Sequence, residues 1–240
     1  GVSFVTDTSV LAIEEGTGDE LRVLTEDGEY VVDIVVFGIG VQPETTLAKE
    51  SGVATGSSGA IKVNFAQQTA REEIFAVGDC AEVFHRIRQD WVNIPLGDIA
   101  NKQGRVAGST LGGSPMIFPG VVGAQSFKIF GLEVAATGID EREAAACGYD
   151  PVSHLLWDTF RTPSLSGEAR MGIKLVADRY TGRLLGAQAV SNVGAVGRIN
   201  TLSVCLWTGM TLDQISYLDF AYSPPYGGAW DIVHRASQAL

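Results

Sequence analysis

The sequence predicts an α/β protein whose second half is an α+β part with an antiparallel sheet. Three observations predict it. First, runs of β-branched and apolar residues end in glycine or proline, as buried strands do. Second, helical periodicity alternates with these runs in the first half. Third, several alternating segments precede one helical segment in the second half, which indicates a sheet covered on one side.

In the first half, residues 31–37 and 74–77 are apolar runs that predict buried strands. Residues 44–51 and 98–111 have the pattern of short helices. The segment LGGSPMIFP at residues 111–119 is rich in turn-forming residues, so it predicts a linker and a domain boundary.

In the second half, the pattern predicts strands and helices in a definite order. Strands are expected at residues 124–130 and 133–137 around Gly131, then a capped helix at 140–148 that ends in glycine. Three further strands and a last helix follow, at residues 153–158, 171–177, 184–190 and 195–207. Thr181 and Gly182 are expected to form the turn between the last two strands.

Composition excludes several classes of function. The 240 residues carry a formal net charge of −11, which disfavours nucleic acid and anionic membranes as partners. No apolar stretch is long enough to span a bilayer, and the first residues do not form a charged-then-apolar leader. Three scattered cysteines fit a reducing compartment, so a cytoplasmic location is expected.

The cysteines and histidines share no spacing typical of a metal site. Surface or packing roles are therefore expected for His85, His154 and His234. Cys147 and Cys205 lie in helical patterns, where a free thiol is usually a small buried hydrophobe. Cys80 follows a Gly-Asp pair and so invites a catalytic interpretation. A cysteine without a catalytic role is the stronger alternative.

Residues 69–80, TAREEIFAVGDC, contain the first candidate ligand-binding motif. The apolar run ends at Gly78, which permits close backbone approach to a ligand, and Asp79 offers a carboxylate that can accept hydrogen bonds from sugar-type hydroxyls. An ordinary strand-to-loop turn is the alternative interpretation of the same pattern.

Residues 94–108, IPLGDIANKQGRVAG, contain the second candidate ligand-binding motif. Pro95 and Gly97 precede a helical pattern, so the backbone N–H groups beginning near Leu96 and Gly97 would face an electron-rich ligand. A plain helix N-terminus is the alternative. Lys102 and Arg105 are expected to be solvated.

Two further blocks, VVDIVVFGIGVQP at residues 31–43 and AYSPPYGGAWD at 221–231, complete a set of four. In this order and spacing the blocks resemble the C-terminal half of the pyridine nucleotide-disulfide oxidoreductases, in the branch of CoA-disulfide reductases and NADH oxidases. The resemblance implies a partial FAD/NAD(P)-binding, Rossmann-like region followed by a dimerisation domain. It places the end of the NAD(P)-binding domain at residues 1–37, the second half of the FAD-binding domain at 38–112 and the dimerisation domain at 113–240.

The resemblance also implies roles for individual residues. Gly78 and Asp79 would contact the ribityl chain of FAD, and Leu96 and Gly97 would lie beside the pyrimidine side of the flavin. Gly40 would stand near the cofactor, where the chain crosses back from the NAD(P)-binding domain. NAD(P)H would supply the electrons.

Tyr222 is the candidate catalytic residue, because in CoA-disulfide reductases a tyrosine of this block reaches the redox cysteine of the partner subunit. Pro224 and Pro225 would stiffen its segment. The alternative is an aromatic anchor at a dimer interface, with Tyr226 and Trp230. The loop TFRTPSLSGE at residues 159–168 lacks the second tyrosine of that family, a departure that puts CoA as the substrate in question.

A complete family member would also carry Gly-x-Gly-x-x-Gly motifs and a redox cysteine, and this sequence has no such glycine motif. We therefore interpret the chain as a fragment, expected to be inactive alone, of a homodimeric FAD-dependent enzyme. The expected electron acceptor is a small-molecule disulfide or persulfide, such as a CoA thiol derivative, or oxygen. The alternative function is a dimerisation module without a cofactor.

Overall fold

The computed structural model describes residues 2–162, 164 and 169–240. It divides into two compact units, Gly1–Gln42 and Pro43–Leu240. The predicted loop at residues 159–168 lies partly outside the described residues, at positions 163 and 165–168. None of the described helices is long and apolar enough to cross a membrane.

The first unit contains a three-stranded antiparallel sheet in the order β1-β2-β3. Its strands are Val10–Glu15, Leu21–Thr25 and Glu29–Val32. The central strand sets the register, because Val23 pairs with both Ile13 and Tyr30. At the β2–β3 turn, the Thr25 N–H donates to the Gly28 carbonyl at 2.8 Å.

The predicted buried strand at residues 31–37 is wrong. Strand β3 ends at Val32, and most apolar residues beyond it are exposed, Val36 by 87 % and Phe37 by 69 %. The residue types fit a strand covered on both faces, but the described strands of this unit form no ladder with residues 33–37. Without a neighbouring strand, β propensity alone does not form a ladder.

The second unit begins with a region of loops and short elements. Helix α1 spans Thr46–Glu50, a 3-10 turn spans Gly78–Cys80, and a hairpin joins β4 (Val83–His85) to β5 (Asp90–Val92). Helix α2, Gly97–Leu111, follows and confirms the predicted helix.

The predicted strand at residues 74–77 is also wrong as a regular strand. Its backbone makes one isolated antiparallel bridge, between Phe75 and Gln68, although Ala76 is buried. A strand needs consecutive ladder partners, and the described part of the chain places only a loop beside this run. The segment is an extended lead into the Gly78 turn.

The rest of the second unit is a five-stranded antiparallel sheet in the order β6-β7-β10-β9-β8. Its strands, in chain order, are Gln125–Ile129, Leu132–Gly138, Pro151–Thr159, Arg170–Asp178 and Leu184–Ser191. The helices are α3 (Glu141–Ala146), α4 (Ala195–Thr208), α5 (Leu212–Ile215) and α6 (Ile232–Gln238). Every strand and helix predicted in this half is confirmed to within a few residues.

The sheet is covered on one face, as predicted. Helix α4 packs on β7 and β10, and α6 packs on β9. The core between them contains Met171, Ile173, Leu175 and Leu202, all with no exposed surface. Each such side chain contributes roughly 1.5–3 kcal/mol through burial, so this core anchors the unit.

Candidate functional site

The Gly-Asp pair forms a tight turn that presents an acidic side chain to solvent. Val77 is extended, Gly78 has a left-handed φ of 78°, and the Ala81 N–H donates to the Gly78 carbonyl at 2.9 Å. Glycine adopts this φ at no steric cost. Asp79 is exposed, and no described residue donates a hydrogen bond to its carboxylate, which is therefore free to accept bonds from a ligand.

The start of α2 presents backbone donors. Leu96 is the N-cap residue and has no side-chain cap, and the first helical bond runs from the Ala100 N–H to the Leu96 carbonyl at 3.0 Å. The N–H groups of Gly97, Asp98 and Ile99 therefore have no helical partner, as at any helix start. A side chain built on Gly97 would meet no atom within 4 Å, so a ligand can approach there.

The structure brings Gly78, Asp79, Leu96 and Gly97 together in one place. A Cβ on Gly78 would lie 3.6 Å from the Ala100 Cβ, in the first turn of α2. Gly40 lies in the other unit, exposed and with a φ of 80°. Its predicted place at the cofactor stays a prediction.

Two amide side chains support this arrangement, and the sequence interpretation did not identify them. The Gln103 side chain accepts a hydrogen bond from the Gly78 N–H at 2.8 Å and donates to the Glu82 carbonyl at 3.0 Å. Asn93 donates to the Asp79 carbonyl at 2.8 Å. A signal for Gln103 was present, since a polar residue stands in the apolar row of Ile99 and Val106.

A cavity of about 510 Å³ opens beside the start of α2. Leu96, Gly97 and Lys102 line one side, and Gln125 and Asn200 lie among the residues of the other. This volume is in the usual range of small-molecule sites. Asp98, also at its edge, pairs with Lys102 at 2.7 Å.

Tyr222 lies on the surface, in the loop that connects α5 to α6 along the chain. It is 58 % exposed, and Tyr226 is 76 % exposed. Its segment is held by its backbone, because the Thr162 N–H donates to the Pro224 carbonyl at 3.3 Å and the Gly228 N–H donates to the Phe160 carbonyl at 3.0 Å. The phenol is thus displayed on a fixed loop.

The base of this loop is a network of buried polar side chains that the sequence interpretation missed. Arg198 pairs with Asp231 at 2.5 Å and lies 4.4 Å from the Phe160 ring centre. His234 accepts from the Asp231 N–H at 3.1 Å and lies 2.9 Å from the Leu218 carbonyl through its other ring nitrogen. The packing role predicted for His234 is confirmed, since only 5 % of it is exposed.

Two buried titratable groups lie near the candidate site. Burial, and then the charge of Arg88, lower the pKa of His85 to about 4, so this imidazole is neutral at physiological pH. Burial raises the pKa of Glu82, against the opposing effects of Lys62 and the Ser58 hydroxyl. His85 is 3 % exposed, which confirms a packing role for it too.

The described residues contain no cluster of His, Cys, Asp and Glu that could hold a metal. The three cysteines are free thiols, and Cys205 is buried in the core as expected. The Cys80 thiol lies 3.5 Å from the Val77 carbonyl, within its own turn.

Two family profiles match the chain. The profile described as pyridine nucleotide-disulphide oxidoreductase matches residues 1–104, and the dimerisation domain of the same family matches residues 124–232. Together they account for most of the sequence.

Among curated proteins, the chain is 38 % identical to the NAD(P)H sulfur oxidoreductase (CoA-dependent) of Pyrococcus furiosus, covering 90 % of this chain and 49 % of that protein. It is 29 % identical to the NADH oxidase of Enterococcus faecalis, covering 95 % and 51 %. The chain thus spans about half the length of these relatives.

Among solved structures, the NAD-dependent persulfide reductase of A. fulgidus is 35 % identical and superposes with a TM-score of 0.93, covering 100 % of this chain and 44 % of that one. An FAD-dependent pyridine nucleotide-disulphide oxidoreductase of Desulfovibrio vulgaris is 31 % identical, with a TM-score of 0.79 and coverage of 97 % and 54 %. The predicted fold class and the resemblance are therefore confirmed: the chain belongs to the pyridine nucleotide-disulphide oxidoreductase family and carries its dimerisation domain.

Proposed function

We propose that this chain is the C-terminal part of an FAD-dependent NAD(P)H:disulfide oxidoreductase and that it supplies half the flavin site and the dimer contact. The single observation that carries the proposal is the unpartnered carboxylate of Asp79 in a turn that packs against the first turn of α2, whose N–H groups are free. Acceptors for hydroxyl groups and donors for an electron-rich ring thus adjoin each other, as a flavin requires.

The residues present fit the cofactor. Gly78 and Asp79 would hold the ribityl chain, and Leu96 with the Gly97 N–H would stabilise charge on the pyrimidine side of the ring. When bound, FAD supplies the hydride chemistry that links NAD(P)H to the acceptor. The chain's own part is to bind and orient the ring.

The proposed substrate is a small-molecule disulfide or persulfide such as a CoA thiol derivative. The relatives whose names mention CoA and sulfur are more similar in sequence than the NADH oxidases are. With a disulfide, NAD(P)H and one proton would give NAD(P)⁺ and two thiols. Other relatives are NADH oxidases, and oxygen stays the second candidate acceptor.

Tyr222 would serve this reaction as a proton donor or hydrogen-bond partner for a thiolate in a homodimer. Its exposed phenol on a fixed loop supports this role, because a donor to another subunit must be both accessible and held in place. In this proposal residues 1–37, 38–112 and 113–240 are the end of the NAD(P)-binding domain, half of the FAD-binding domain and the dimerisation domain. The proposed location is the cytoplasm.

Flavin binding by the purified chain tests the proposal. We expect FAD and riboflavin to bind with similar affinity, because these residues address the ribityl chain and the ring, and the chain has no Gly-x-Gly-x-x-Gly motif for the pyrophosphate. Asp79→Ala should weaken binding by about tenfold through the loss of charge-assisted hydrogen bonds. Quenching of flavin fluorescence measures the affinities of the unmodified chain and of Asp79→Ala for FAD and riboflavin.

Glu73→Ala is the matched control, since it removes an exposed carboxylate from the same segment. It should leave the affinity unchanged. Absence of flavin binding, or binding that does not depend on Asp79, would overturn the flavin role. The alternative, a dimerisation module without a cofactor, would then be supported by a dimeric mass in light scattering.

A further inference from the structure

Gln103 is a polar side chain in the interior of the protein with both of its amide atoms in use. It has no exposed surface. Its oxygen accepts from the Gly78 N–H at 2.8 Å, and its nitrogen donates to the Glu82 carbonyl at 3.0 Å. The side chain therefore joins Gly78, the first residue of the Gly78–Cys80 turn, and Glu82, two residues beyond that turn, to the second turn of α2.

An apolar residue would satisfy the packing at this position, since Ile99 and Val106 on the same face are buried. An amide is costly to bury unless it is hydrogen-bonded, and here the Gly78 N–H and the Glu82 carbonyl supply its two partners. The pair of bonds thus specifies where the turn sits along the helix.

The turn and the helix start are the two parts of the proposed flavin site. Asp79 is the residue after Gly78, and Gly97 lies less than two helical turns before Gln103. A shift of the turn along α2 would separate the Asp79 carboxylate from the free N–H groups. Asn93 also holds the turn, since its side chain donates to the Asp79 carbonyl at 2.8 Å.

We propose that Gln103 is a positioning residue of the flavin site, which sets the Asp79 carboxylate in register with the first turn of α2. This inference rests on the proposed function. Gln103 does not touch the cofactor in this proposal; it acts through Gly78 and Asp79.

The test compares variants of the chain. Gln103→Met keeps the length of the side chain and removes both hydrogen bonds, so FAD affinity should fall about tenfold. Because Gln103 acts through Asp79, the double variant with Asp79→Ala should bind scarcely more weakly than Asp79→Ala alone. Additive losses would contradict a role through Asp79.

Val106→Ala is the structural control. It opens a cavity one turn along the same helix without touching the Gly78 turn. The melting temperature and the FAD affinity are measured for both Val106→Ala and Gln103→Met. Only Gln103→Met should lose flavin binding. An equal loss in both would reduce Gln103 to a stabilising residue and overturn the proposal.

Gln103→Glu provides a pH-dependent rescue. As a carboxylate it can accept from the Gly78 N–H but repels the Glu82 carbonyl, whereas as a carboxylic acid it regains a donor. As the pH is lowered from about 8 to about 5, the FAD affinity of Gln103→Glu should therefore recover toward that of the unmodified chain. Burial raises the pKa of such a carboxyl, so that it is protonated within this range. If the ratio of the FAD affinities of Gln103→Glu and the unmodified chain did not change with pH, the role of the hydrogen bond to the Glu82 carbonyl would be contradicted.

Hydrogen exchange at the Gly78 amide separates the two possible failures. Gln103→Met should speed this exchange with no flavin present. If the unmodified chain binds no flavin, the proposed function and the role of Gln103 both fail, whatever the exchange shows. If the chain binds flavin and Gln103→Met binds it equally well, only the role of Gln103 is overturned.

Discussion

The guanidinium of Arg198 forms two bonds with the carboxylate of Asp231, from Nε at 3.0 Å and from Nη2 at 2.5 Å. Both side chains are mostly buried, at 15 % and 12 % exposure. Asp231 also caps α6 by accepting from the Val233 N–H at 3.0 Å. One ion pair thus ties α4 to the start of α6, directly after the loop that presents Tyr222.

Removing the charge of Asp231 should strongly destabilise the protein. Asp231→Asn keeps a good helix cap but leaves Arg198 buried without a counter-charge, so the free energy of unfolding should fall by roughly 3 kcal/mol. Urea unfolding measures the change. Asp150→Asn is the control, because the Asp150–Arg179 pair is well exposed and should contribute less than about 1 kcal/mol. Equal effects would contradict the assignment of a buried pair.

His85 should make stability depend on pH. Its pKa is lowered to about 4 in the folded protein, below the ordinary value of 6.5. As pH falls from 6.5 toward 4, the unfolded chain binds a proton that the folded protein does not, so stability is lost on acidification, by up to roughly 3 kcal/mol. Above pH 6.5 this contribution is constant.

The variant His85→Gln isolates that effect, since it keeps an acceptor for the Arg88 N–H and does not titrate. Unfolding free energies of the two proteins, measured at several pH values, should converge as the pH falls. Parallel curves would show that His85 does not resist protonation in the fold.

Two glycines should respond in opposite directions to alanine. At Gly186 a Cβ would lie 2.0 Å from the Ile139 carbonyl oxygen, a backbone atom that cannot move away, so Gly186→Ala should cost more than about 2 kcal/mol. At Gly197, exposed in α4, a Cβ meets nothing within 4 Å, and Gly197→Ala should stabilise by about 0.5–1 kcal/mol. Thermal unfolding of both variants checks the signs.

Tyr222→Phe should separate chemistry from packing. The phenol is exposed, so the free energy of unfolding should change by less than about 0.5 kcal/mol and the mass in solution should be unchanged. In the proposed disulfide oxidoreductase, disulfide turnover should fall by about 10²-fold if the hydroxyl donates the proton. Tyr226→Phe, on the same loop, is the control and should leave turnover unchanged. Full activity of Tyr222→Phe would favour the interface anchor.

Much of the fold could be predicted because its signals are local. Alternation predicted the sheet of the second half, and Asp140 and Gly148 marked the ends of α3, where a capping box and a left-handed φ of 87° are found. Gly78, Asp79, Leu96 and Gly97 were named from sequence, and the structure places them side by side. Their role toward a flavin stays a prediction.

By itself the sequence determined helices α1 to α4, the strands of the large sheet and the Gly-Asp turn, since each depends on residue types within a few positions of one another. Only the tertiary structure decided which polar side chains are buried and what they bind. Gln103 meets Gly78 across 25 positions and Arg198 meets Asp231 across 33. The exposure of Val36 and Phe37 was decided in the same way, because burial depends on what the rest of the chain packs against a segment, which no local pattern records.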